Sequence, residues 1–207
     1  MPVRANAGLN VKVLAFADVH ASVTAFRKLE MLVKKEKPDL LVNLGDFTIF
    51  EQHMEEVCAR LAKLHPVQLV VHGNHEEDLT TRHVCKRHGW VFCHKKCVQI
   101  GDVLFVGYGG GGFSSREPEF ERCVKNVHST IKEAKKVVLL THQPPYGTAV
   151  DNKYGEHVGN TSFTSFIKKY KIALSLSGHI HETAGRIGKL GKTVFANPGP
   201  FGKVFTI

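Results

Sequence analysis

Short apolar runs recur along the chain, separated by longer stretches in which apolar positions return every three or four residues. "VKVLAFA" (11–17) is the first such run. It leads into a segment with Phe26, Leu29 and Val33 at helical spacing, opened by Ser22 as N-cap and closed by Pro38. "DLLVNL" (39–44) follows, then a helix with Met54, Val57, Leu61 and Leu64 on one face, ended by Pro66. "VQLVV" (67–71) predicts a third strand, and "DLTTRHVCKRH" a helix stopped by Gly89.

The pattern then changes. "WVFC", "CVQI" and "VLFVGY" read as strands in hairpins, with Gly101-Asp102 at one turn. A charged helix is expected over about 117–135, a buried strand at "VVLL" (137–140) and a helix at "TSFTSFIKKY". "IALSLS" (172–177) reads as a strand, and "GRIG" with "TVFAN" as a closing hairpin. Alternating β and α segments, without repeats or a low-complexity linker, predict one α/β domain with mixed sheets over 1–207, residues 1–10 forming a tail.

Composition narrows the class. With 207 residues, 43% hydrophobic and 23% charged, the chain can bury a substantial core and is not of the disordered type. No apolar run is long enough to span a membrane, and the first ten residues lack the apolar middle of a secretory signal. The five cysteines are odd in number and scattered, which disfavours a disulfide framework and predicts a reducing, cytoplasmic setting. A net charge of +9 favours anionic partners, small phosphates or nucleic acid, without choosing between them.

The chemistry gathers at strand ends. "VKVLAFA" ends in Asp18 and His20, "DLLVNLG" in Asp46, "VQLVVHG" in Asn74 and His75, "VVLLT" in His142, and "IALSLSG" in His179 and His181. Open α/β sheets carry their sites beyond the carboxyl ends of strands, so five ends would deliver these side chains to one edge. Carboxylate, imidazole and amide oxygen together suit two divalent ions side by side. Gly45, Gly73 and Gly178 would let the backbone turn and approach closely there.

In this order the segments Asp-Val-His, Gly-Asp, Gly-Asn-His-Glu, a lone His and Gly-His-Ile-His resemble the calcineurin-like metallophosphoesterase superfamily across residues 12–182. "THQPPYGT", "HVG" and "ANPGP" are similar to its small prokaryote-type members, related to the cyclic-nucleotide phosphodiesterase branch. The resemblance implies a four-layer α-β-β-α sandwich of two mixed sheets. It implies that Asp18, His20 and His181 hold a first metal ion, that Asn74, His142 and His179 hold a second, and that Asp46 bridges both. It further implies hydrolysis of phosphodiesters, with monoesters as a second substrate class, by a hydroxide bridging the ions. Manganese is the expected metal, with iron, zinc, nickel or magnesium as alternatives. His75 would lie near the substrate as a charge-stabilising or proton-donating group.

Departures exclude some branches. Gly-Asp continues as "FTIF", not as the Val-Asp-Arg-Gly of protein Ser/Thr phosphatases, so their phosphate-gripping arginine and their aspartate partner to the histidine are missing. Ile49 stands where purple acid phosphatases need tyrosine. A nuclease is the rival enzyme reading and a non-catalytic scaffold the rival of another class, although the scaffold branch has lost ligands that are filled here. The expected partner is a small phosphate ester, with no membrane; nucleic acid and self-association stay open.

"GYGGGGFSS" (107–115) lacks the Gly-Lys-Ser/Thr of a nucleotide cradle and is read as a flexible loop at the site mouth, with Arg116 a candidate for substrate contact. "HVCKRHGWVFCHKKC" (83–97) matches no zinc-finger spacing, and Cys93 and Cys97 are read as flanking a strand turn. Glu76 and Glu182 are assigned no chemistry, and the remaining histidines are taken as structural.

Overall fold

The computed structural model describes residues 10–207; the tail expected over 1–10 lies, apart from Asn10, outside the described residues. One sheet is built from β1 (Lys12–Phe16), β2 (Leu40–Asn43), β3 (Gln68–Val70) and β4 (Val91–Phe92), all parallel. The last strand, β13 (Lys203–Thr206), closes its β1 edge antiparallel. The other sheet runs β11 (Ile187–Leu190), β12 (Thr193–Ala196), β10 (Ile172–Leu176), β7 (Lys136–Thr141), β6 (Val103–Tyr108), β5 (Lys96–Ile100). Its four central strands are parallel and its two edge strands antiparallel, so both sheets are mixed.

The side chains of β1 explain the layering. Val13 and Ala15 face the second sheet with Val42 and Leu69, and meet Phe105, Val138, Leu140 and Leu174 there. Leu14 and Phe16 project to the opposite face, as the two-residue period requires, and pack under α1 (Val23–Glu36) and α2 (Met54–Leu64) with Phe26, Leu29 and Leu61. With both faces covered, β1 is apolar from Val13 to Phe16. Each such side chain contributes about 1.5–3 kcal/mol by leaving water. On the far side, Leu104, Val106 and Leu139 pack against Phe120 of α4 (Pro118–Asn126) and Phe163 and Phe166 of α6 (Thr161–Lys169). The result is the four-layer α-β-β-α sandwich.

Local signals set the element ends. Ser22 Oγ accepts from the Ala25 amide at 3.3 Å and starts α1, while α3 (Asp78–His88) stops where Gly89 turns left-handed. The structure revises two expectations. β4 does not pair with β5 in a hairpin: it extends the first sheet beside β3, and the chain crosses to the second sheet at Cys93–Lys95. The helix expected over 117–135 is broken at Val127 into α4 and α5 (His128–Glu133). The β5–β6 hairpin turns at Gly101-Asp102 as expected. The small hairpin of β8 (Asn152–Lys153) and β9 (Glu156–His157) and strand β13 had no clear pattern in the sequence.

Candidate metal centre

The carboxyl ends of β1, β2, β3, β7 and β10 open on one edge of the sandwich, and the eight polar residues singled out from the sequence follow them. One oxygen lies at the middle of this group. Asp46 Oδ2 is 3.4 Å from His142 Nε2 and 3.9 Å from both His20 Nε2 and His75 Nε2. The other oxygen, Oδ1, accepts from the His75 amide at 2.9 Å, which fixes the carboxylate plane.

On one side of Asp46, ligand atoms of Asp18, His20 and His181 lie within 4.8 Å of one another. His20 donates from Nδ1–H to the Thr48 carbonyl (3.1 Å), leaving Nε2 as a lone pair that faces His181 Nε2 at 3.3 Å. Both Asp18 oxygens accept from the His179 amide at 3.1 Å. On the other side, Asp46, His142 and His179 group within the same 4.8 Å limit. His142 donates from Nδ1–H to the Leu44 carbonyl (2.8 Å), so Nε2 is turned toward Asn74 Oδ1 at 3.1 Å and Asp46 Oδ2. His179 Nε2 is buried without a hydrogen-bond partner.

Lone pairs therefore converge on two points with few protons to separate them, as a pair of bound cations requires. The pKa shifts follow. Burial opposes charge on His142, yet the hydrogen bond and charge of Asp46 lift it to about 9. Asp46, which burial alone would raise, is pulled well below the carboxylate range by His142 and His75. Burial raises Asp18, lowers His20 and, helped by the charge of His142, lowers His179 to about 4. The donor set of carboxylate, imidazole and amide fits divalent ions of the borderline class.

The backbone reaches this geometry by unusual means. Asp18, His20, Asp46 and His179 all adopt left-handed φ angles of 56, 45, 52 and 68°. Thus His179 and His181 do not project from an extended strand. His179 sits in a tight turn and His181 opens a short 3-10 turn (His181–Thr183), and Ile180 between them is buried. Gly73 permits the closest approach, since a Cβ there would fall 2.0 Å from Asp46 Oδ1.

His75 and Glu76 have distinct tasks. His75 Nδ1 accepts from the Phe50 amide (3.3 Å), and the Phe50 ring stacks on the imidazole at 4.0 Å. In the neutral ring the proton is then on Nε2, facing the centre, where it can be donated to a bound molecule; Nε2 also lies within ligand reach of His20 and Asp46. Glu76 is the residue that sequence reasoning passed over. Buried, its carboxylate accepts from the amides of Asp46 (2.9 Å), Thr48 (2.8 Å) and Gly73 (3.2 Å) and from the Thr48 hydroxyl (2.7 Å). It orients no histidine; it ties the Asp46 loop to the Asn74 loop. Burial and the charge of Asp46 raise it to about 7 against the pull of those donors.

Two loops frame the opening. The glycine run, leaving β6 of the second sheet, lies against the chain that leaves β3 of the first: a Cβ on Gly109 would meet the His72 backbone at 2.6 Å, and the Gly110 amide donates to the His72 carbonyl at 2.7 Å. It carries Phe113 onto the His179 ring, 4.7 Å between centroids. The other loop is organised by buried Asp151, which accepts from the amides of Gly147, Thr148 and Gly159 and bonds His157 Nδ1 at 2.7 Å. Arg116, the candidate for substrate contact, is paired with a nearby carboxylate. Its guanidinium makes a two-point pair with Glu121 (2.8 and 2.7 Å) and is thereby neutralised. In the 83–97 segment, among the described residues, no cysteine joins a metal-competent cluster, and Cys93 is buried at the turn between the sheets.

The sequence profile described as calcineurin-like phosphoesterase matches residues 11–183. An uncharacterized protein of Methanocaldococcus jannaschii, MJ1162, is 30% identical over 204 residues, covering 92% of this chain and 88% of its own. Two solved structures share the fold at lower identity. The protein TT1561 of Thermus thermophilus superposes with a TM-score of 0.73 (18% identity; 95% of this chain, 98% of that one). A dimetal phosphatase from Danio rerio gives 0.65 (13% identity; 90% and 86%). With the profile spanning most of the chain and its strand-end motifs gathered at one edge, this protein belongs to the calcineurin-like phosphoesterase family and is a metal-dependent phosphoric ester hydrolase.

Proposed function

We propose that the chain hydrolyses phosphodiesters, and phosphomonoesters more slowly, with two divalent ions held on either side of Asp46. The observation that carries this reading is the place of Asp46 between the two groups: its Oδ2 lies 3.9 Å from His20 Nε2 and 3.4 Å from His142 Nε2, and it clusters with His20 and with His142 and His179. A dimetal phosphatase among the fold relatives supports it. When bound, such ions acidify water and neutralise phosphate oxygens.

The chain's own residues do the rest. Asp46, its carboxylate fixed by the His75 amide, would hold both ions. His75, held by Phe50 with its proton on Nε2, donates to the phosphoryl oxygen or to the leaving oxygen. Glu76 holds both loops in register beneath them. Manganese is the proposed metal, iron, zinc, nickel and magnesium being accommodated by the same donors. The proposed location is the cytoplasm; among the described residues no helix is long and apolar enough to cross a membrane.

Asp46→Asn tests the mechanism. Manganese-dependent cleavage of bis-(p-nitrophenyl) phosphate should fall to background while circular dichroism stays that of the parent. Retained cleavage in this variant would sink the two-ion reading.

A further inference from the structure

The branch of this fold that grips phosphate with an arginine after Gly-Asp has no counterpart here, since "FTIF" follows Asp46 and Arg116 is bound by Glu121. A different cation stands at the opening. Lys153, at the end of β8, places its Nζ 4.7 Å from the centroid of Phe113, and the same ring lies 4.7 Å from the ring of the ligand His179. Among the described residues Lys153 makes no ion pair, whereas Lys12, Lys95 and Lys135 each have a carboxylate. Glu182 feels its charge but is not within ion-pair distance of it.

We propose that Lys153, seated on the Phe113 ring, binds a phosphoryl oxygen of the substrate on the His142/His179 side of the centre. An aromatic face holds an ammonium in place without neutralising it, so its charge remains available to an anion. A carboxylate seat would cancel that charge, as Glu121 does for Arg116.

Both halves of this grip are rigidly delivered. Phe113 ends the glycine run that is hydrogen-bonded to His72 and His94. At the far end of the run, the Ser114 carbonyl accepts from Gln143 at 2.8 Å and from Asn160 at 3.0 Å. Lys153 follows Asp151 by two residues, and Asp151 is the buried post of its loop. The ligand class is a phosphate group with at least one free anionic oxygen, which both substrate and product of the proposed reaction possess. The inference thus rests on the hydrolase reading for its biological meaning, but its test does not depend on turnover.

The probe is inorganic phosphate, titrated calorimetrically into manganese-loaded protein and measured separately as a competitive inhibitor. Lys153→Met should weaken phosphate binding about tenfold, the loss of one charge-assisted hydrogen bond. Lys153→Arg should stay within about threefold of the parent, and Phe113→Leu should fall in between, because the seat is lost but the charge kept. Unchanged phosphate affinity in Lys153→Met, or a parent protein that binds manganese but no phosphate, would overturn the proposal. A parent that binds phosphate through Lys153 yet cleaves no ester would leave the grip standing and defeat the proposed function alone.

Discussion

Buried histidines at the metal centre and behind the glycine run differ in how a neighbouring carboxylate acts on them. At the metal centre, His142 faces the Asp46 carboxylate at 3.4 Å and is lifted to about 9. Behind the run, His72 and His94 stack edge to face at 4.6 Å among Phe92 and Tyr108, and burial holds both near 4. The nearest carboxylate oxygen to His94, on Asp78, stands off at 3.9 Å on a partly exposed side chain. Histidine alone therefore makes no site. A carboxylate within the same dry pocket decides whether an imidazole becomes a cation or ligand, or stays a neutral packing element.

The contrast between the two groups breaks most sharply at its charged end. His142→Gln should reduce bound manganese from about two equivalents to one, by elemental analysis, and lower kcat/KM by roughly 10³-fold. His72→Phe, on the neutral side, should leave the metal count unchanged. Next in size is the carboxylate beneath the centre. Glu76→Gln turns one acceptor into a donor facing backbone N–H groups, and should cost about 3 kcal/mol in urea unfolding, with metal affinity falling roughly tenfold or more.

The neutral pair gives the smallest effect and a definite sign. His94 is held at about 4 against an ordinary 6.5, so between these values the unfolded chain binds the extra proton. Its stabilising contribution is complete above about 6.5, is lost as pH falls through the window, and changes no further below about 4. The loss amounts to at most about 3 kcal/mol. His94→Phe should flatten that part of the stability–pH curve, read from urea midpoints at several pH values. An unaltered acid slope would show that His94 is already protonated in the folded state.

The convergence of the candidate ligands was legible because each follows a buried strand. Apolar runs such as "VKVLAFA" and "VVLL" locate strand ends in one dimension, and the parallel topology carries all of them to the same edge. Glu76 was not legible, since its role depends on amides of Asp46 and Thr48 some thirty positions away, which no local pattern encodes. Arg116 differs, since its partner Glu121 is only five residues further along the chain. Strand β4 is two residues long, and its partner was set by the crossing at Cys93, not by proximity to β5. Phe113 and Lys153 meet from loops forty residues apart, so their pairing belongs to the tertiary structure alone.

The left-handed backbone at Asp18, His20, Asp46 and His179 has a consequence for anyone engineering this chain. Each non-glycine residue held there costs roughly 1 kcal/mol or more. A mutant library sorted on heat resistance alone would therefore drift toward glycine at these four codons and discard the ligands while improving the scaffold. Thermostable variants of this hydrolase have to be won at sites away from that edge, or sorted with a catalytic screen running alongside.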